Sequence, residues 1–195
     1  MRRILLFIIC CCGVLGHAYA QTGIKKTPSK TRESQPIELI SAGELEMMLV
    51  DGIQTRFLRS KDSIPVVFRQ GNMTFRCEQA IQFSDSNFVV AMGDIFVEDG
   101  DSIQARGDTL LYDGNNKFAE LRSNVLFTDK HVVLKSPYVN YYVDQKIATY
   151  QYGAVITDEE ATLTSRRGYY YTQQKLIAFK RDVVLDNTKA DYHIK

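Results

Sequence analysis

The chain has 195 residues, with 24 Lys and Arg against 23 Asp and Glu, a formal net charge of +1. That balance leaves no basic footprint for nucleic acid, and the length suits one domain.

The N-terminus opens the chain-order reading. Arg2 and Arg3 precede an almost unbroken apolar run from Ile4 to Leu15, and Ala18-Tyr19-Ala20 puts small residues where a signal peptidase reads. Residues 1–20 are therefore expected to be a cleaved secretory signal peptide, with Gln21 the first mature residue. The run falls short of the about 20 apolar residues a spanning helix needs. Cys10, Cys11 and Cys12 lie inside it without the residues that precede a lipid-modified cysteine. Cleavage leaves Cys77, so no intramolecular disulfide is expected, and a small buried hydrophobe is the simplest role for that thiol. Removing Arg2 and Arg3 leaves 22 basic against 23 acidic residues and a mature charge of −1.

Residues 21–36, QTGIKKTPSKTRESQP, are polar and carry Lys25, Lys26, Lys30 and Arg32. They read as a flexible basic linker.

From residue 37 the character changes. Runs rich in Val, Ile, Tyr, Phe and Thr alternate with Gly, Asp and Asn clusters, as in FVVAMGDIFVEDGD and DTLLYDGNNKFAELRSNVLFTD. These predict short strands separated by turns. The best helical stretch is Ala42 to Val50, weakened by Gly43.

The chain also repeats. A shift of 29 residues superposes Tyr112, Tyr141 and Tyr170, then Lys117, Lys146 and Lys175, and then Val125, Ala154 and Val183. Three units are clear, a fourth at about 71–102 is recognisable, and a fifth at about 37–70 is degenerate. Within a unit one strand ends at an aromatic pair. A polar turn follows, in which Asp113-Gly114 and Asn115-Asn116 are expected to supply positive φ. The second strand starts at the lysine column and bends near Asn124, Gly153 or Asp182. Ala119, Leu121, Val125 and Phe127 share one parity and so one face, with polar Glu120, Arg122, Asn124 and Thr128 between them. Each unit then has an apolar inside and a wet outside, and only stacking buries the apolar side. The expected fold is all-β: a stacked, folded-over sheet around one interior.

Nothing in the pattern points to catalysis. The mature chain has His131 and His193, far apart in sequence, and the spacings of zinc, nucleophile-elbow and dinucleotide motifs are absent. Asp99 with Asp101 and Glu159 with Glu160 are acid pairs, but both read as turn residues. The chain is expected to be no enzyme, with no catalytic residues, cofactor or metal.

Gly107-Asp-x-Leu-x-Tyr-Asp113, the lysine-started strand after it, and Asn124-Val125 together resemble the OstA-like family, which includes the periplasmic lipopolysaccharide-transport protein LptA and the soluble N-terminal domain of LptD. The resemblance runs from about Ile37 to the C-terminus and is best carried by residues 93–186. It implies a β-jellyroll, V-shaped and open along one side, as one domain over 37–195. It implies a periplasmic bridge for lipopolysaccharide, contributing to outer-membrane assembly. The lipid A acyl chains would lie along inward columns at Tyr112, Leu121, Val125, Phe127, Tyr141, Tyr150, Ile156, Tyr170, Phe179, Val183 and Leu185. It also implies partners that dock by edge-strand pairing: other jellyroll proteins of the bridge, or a second copy head to tail.

Several departures matter. Many inward positions are tyrosines. The sequence stops about where Leu163-Thr164-Ser165 would recur, which leaves a short protein or a truncated one as expectations. Two other readings stay open: a structural or protein-binding β-repeat module with a filled core and no lipid site, and a carbohydrate-active β-solenoid.

Overall fold

The computed structural model describes residues 35–187 and 192–194. The stretches expected to be signal peptide (1–20) and most of the expected linker (21–36) lie outside the described residues. The chain enters through β1 (Glu38–Ser41) and β2 (Glu44–Val50) and returns as β3 (Ile53–Arg59) and β4 (Val66–Gln70). It continues through β5 (Met73–Cys77) and β6 (Gln79–Phe83) into four long strands. These are β7 (Phe88–Asp99), β8 (Ile103–Asp113), β9 (Phe118–Thr128) and β10 (Val133–Tyr142). Then come β11 (Ile147–Tyr150), β12 (Ala154–Thr157), β13 (Ala161–Ser165) and β14 (Arg167–Tyr171). The last are β15 (Leu176–Lys180), β16 (Val184–Asn187) and β17 (Tyr192–Ile194).

Every pairing is antiparallel, and the pairings resolve into two sheets. The first runs β1-β4-β5-β7-β8-β9-β10-β12-β13-β16-β17. The second runs β2-β3-β6-β7-β8-β9-β10-β11-β14-β15. Strands β7 to β10 belong to both, so the sheets meet along an apex that every pass of the chain crosses. The register shifts there, between Met92 and Ile95, Arg106 and Thr109, and Ser136 and Tyr138. On alternate passes the apex residues have positive φ: Asp62 and Ser63, Gly93 and Asp94, Ser123 and Asn124, Gly153, and Arg181 and Asp182. Local left-handed residues of this kind bend a strand and re-aim its side chains. The expected bends at Asn124, Gly153 and Asp182 are these, and the degenerate unit at about 37–70 has one too, at Asp62 and Ser63. Pro65 and Pro137 also sit at the apex, where no ladder N–H is required.

Three expectations are corrected. Ala42–Val50 is not helical: Glu44–Val50 pairs with β3 along its whole length, because hydrogen bonding to a neighbouring strand overrides weak local propensity. The hairpin residue with positive φ is not in Asp-Gly or Asn-Asn. It is the lysine column itself, Lys117 (φ 48°), Lys146 (φ 56°) and Lys175 (φ 52°), each closing a four-residue turn, with Asn87 (φ 53°) in the fourth unit. Gly114 is small for another reason: a Cβ there would run into Ile37 and Asn87. Finally, the outside is not uniformly wet. Direct antiparallel partners share a face, and the outer row of the second sheet reads Phe83, Phe88, Asp113, Phe118, Tyr142, Ile147, Tyr171, Leu176.

The core lies between the sheets. In the first sheet an unbroken apolar row crosses ten strands: Leu39, Phe68, Phe75, Val97, Ala105, Phe127, Leu134, Ile156, Leu163 and Leu185. In the second, Val89, Tyr112, Ala119, Tyr141, Ala148 and Tyr170 alternate small and large. The small residues beside each tyrosine leave room along the row for its ring, as close packing requires. Cys77 is buried in this core, and burial pushes its thiol up to about 12, which keeps it a neutral hydrophobe.

Candidate functional site: the interior between the sheets

The inward columns fall where parity puts them. Tyr112, Leu121, Val125, Phe127, Tyr141, Tyr150, Ile156 and Tyr170 are all buried in one cluster, with Leu185 packed against it. Val183 precedes β16 and is half-buried. Phe179 lies in the inner row beside Gly168, yet it remains 39% exposed because β15 is the outermost strand of its sheet.

The tyrosines do not stack on one another. Alanines 119 and 148 separate them in the row, and each ring crosses the interior instead. Tyr112 meets Phe75 edge to face at 5.5 Å between centroids, and Tyr141 meets Phe127 at 5.2 Å. Their hydroxyls reach the tip of the opposite sheet. Tyr112 donates to Gln70 Oε1 at 2.5 Å, Tyr141 to Asp99 Oδ2 at 2.7 Å, and Tyr170 to Asp129 Oδ2. In each tie the tyrosine's strand lies three places along the stack from its acceptor's, so every tie is diagonal. Asp99 is also held by the Lys146 ammonium, and Asp129 accepts the backbone N–H groups of His131 at 3.2 Å and Val132 at 3.0 Å. Burial raises Tyr112, Tyr141 and Tyr170 well above the ordinary phenol range, and the facing carboxylates push the same way. Tyr150 hydrogen-bonds Ser165 Oγ at 2.5 Å, and its ring fills the space that a side chain at position 168 would need.

A strap closes the N-terminal end of this mouth. The Gln35 carbonyl accepts from Gln70 Nε2 and from Asn87 Nδ2 at 3.2 Å. Ile37 donates its N–H to Asn87 Oδ1 at 2.7 Å and accepts from Gln82 Nε2 at 3.0 Å. The side implied to be open is therefore spanned by the strap and three ties, and the middle of the interior is filled by side chains.

The inner rows come into the open at the ends of the stack. Leu45 pairs with buried Leu58, and Met47 and Leu49 follow on the same face. These three are 51%, 57% and 74% exposed. At the other end Phe179 is uncovered. Among the described residues β2 and β15 are the outermost strands of the second sheet, and β1 and β17 those of the first, so each has one edge that pairs with no described strand.

The reading of Asp99 as a turn acid was wrong. It closes β7, and its carboxylate points into the interior. A signal was available: Gln70, Asp99 and Asp129 stand 29 and 30 residues apart, the repeat period itself. Among the described residues no group of three or more His, Cys, Asp or Glu is arranged to hold a metal ion.

The two sheets and the cluster between them define an all-β repeat domain built around one apolar interior. A family model described as OstA-like protein matches residues 36–194, and the chain belongs to that family. No curated protein matches it. Among solved structures it is similar to LptH, described as the LptA-homologous periplasmic component of the conserved lipopolysaccharide transport device from Pseudomonas aeruginosa. The superposition has a TM-score of 0.52 at 19% identity and covers 56% of this chain and 82% of LptH. At that identity the likeness carries the fold.

Proposed function

We propose that this chain is a periplasmic component of lipopolysaccharide transport that holds acyl chains against its inner apolar rows and hands them along by edge-to-edge docking. Family membership supports the class. The observation that carries the lipid reading is the emergence of those rows, uncovered, at Leu45, Met47 and Leu49 and at Phe179. Burying hydrocarbon there stabilises a complex by about 0.8 kcal/mol per CH₂. Lipid contact at the enclosed columns, Tyr112, Leu121, Val125, Phe127, Tyr141, Tyr150, Ile156 and Tyr170, requires the ties to part. At Val183 and Leu185 the interior is already half open. The outer strands β1, β2, β15 and β17 are the docking edges for jellyroll partners or a second copy, since an unpaired edge accepts another strand.

The packed middle of the interior favours a second reading, a protein-binding repeat module that takes no lipid. A photo-crosslinking amino acid at Leu49, Phe127, Phe179 or outward Arg122, in cells making lipopolysaccharide, separates the two. Lipid adducts at Leu49 and Phe179 and none at Arg122 are expected. Adducts at Phe127 as well would show that the ties open. A folded protein with no lipid adduct at any position would leave the protein-binding module.

A further inference from the structure

The outer face of the second sheet holds a further cleft, of about 540 Å³, bordered on one side by the inward Tyr150 and by Gly168. It lies over β10, β11 and β14 and is lined by Tyr142, Tyr169, Tyr171, Gln145, Gln151 and Arg167. The registers explain the grouping. Tyr142, Ile147 and Tyr171 form one outward row, Asn140, Thr149 and Tyr169 the next, and Arg167 stands one step further, paired with Lys180.

The tyrosines divide by face. The four inner ones spend their hydroxyls on Gln70, Asp99, Ser165 and Asp129. The hydroxyls of Tyr169 and Tyr171, the amides of Gln145 and Gln151 and the Arg167 guanidinium engage no other side chain among the described residues.

We infer that this cleft is a saccharide-binding surface. A sugar ring has an apolar C–H face and a rim of hydroxyls. Tyrosine rings offer a flat apolar body with a polar tip, and planar amides can donate to one hydroxyl while accepting from the next. Arg167, with Lys180 beside it, supplies a fork for an acidic substituent on the sugar. A greasy partner would leave these polar groups unpaired, and a strongly basic one would meet Arg167. The site therefore takes an oligosaccharide, whose source is the glycan portion of a lipopolysaccharide or a cell-wall glycan.

The inference extends the transport reading and rests on the outward side chains Tyr169, Tyr171, Gln145, Gln151 and Arg167, which are not among the inward columns. The test titrates the folded full chain with three probes: lipid-free oligosaccharide released from lipopolysaccharide by mild acid, lipid A without its oligosaccharide, and soluble cell-wall glycan fragments. Saturable binding of either glycan is expected, and the tighter one names the source. Tyr169→Ala and Tyr171→Ala should each weaken it at least tenfold and leave lipid A uptake unchanged, while Tyr169→Phe should weaken it less. Glycan binding without lipid A binding would keep this inference and remove the transport reading. Lipid A binding with no saturable glycan binding would overturn it, as would glycan binding that both alanine variants leave intact.

Discussion

Asp99 is a carboxylate almost wholly removed from water, and it is held there by the Tyr141 hydroxyl and the Lys146 ammonium. An acid so placed survives only while it has donors. Tyr141→Phe deletes one donor and keeps the ring on Phe127. The expected loss is about 1–3 kcal/mol, read as a lower denaturant midpoint at unchanged slope. A shift too small to resolve would mean that the tie contributes nothing to folding. Gly168 makes a sharper demand, because Tyr150 occupies the space of its missing side chain. Gly168→Ala forces that ring or the backbone of β14 to move. It should cost about 1–3 kcal/mol by overpacking, and unaltered thermal stability would show that Tyr150 swings clear without penalty.

At the level of strands, a face is fixed by its neighbours. Phe127 sits in the ten-strand apolar row, and Arg122 on the same strand points out and pairs with Glu120. Phe127→Glu buries a charge with no partner and is expected to cost more than about 4 kcal/mol. Arg122→Ala should stay within about 0.5 kcal/mol. Equal tolerance in urea unfolding would sink the inward assignment. Much of this was legible in the sequence, because residues that recur at 29 in the same parity must meet the same environment in every unit. The bends at Asn124, Gly153 and Asp182 were legible for the same reason. The ties were harder. Each joins two columns of the repeat across the interior, and a shift that aligns like with like does not show which column faces which. β2 was misjudged because its seven residues, all exposed, carry little burial signature of their own. The aromatic outer row was missed because the outside was judged from Glu120, Arg122, Asn124 and Thr128, although the same strand starts at Phe118, a member of that row.

For the molecule as a whole, the buried phenols set an alkaline limit. Tyr112, Tyr141, Tyr150 and Tyr170 all ionise above the usual value of 10.0 in the folded chain, burial being the first cause. Above that pH the unfolded chain has released protons that the folded chain still holds, so the folded state loses ground as pH rises. Their contribution is full below about pH 10 and falls away above it. Circular dichroism of urea unfolding across that range should show stability dropping with pH, with a shallower slope in Tyr141→Phe. Stability that stays flat to about pH 12 would contradict the burial of these rings.

The diagonal course of the three ties has a mechanical meaning. Two sheets fastened only along an apex could slide past each other lengthwise, like the covers of a book pushed askew. A brace that runs three strands along before it lands resists that shear, as the oblique members of a truss do. Because all three braces lean the same way, they also fix the angle of one sheet on the other. The rigid middle then transmits a torque applied at one end of the stack to the other end.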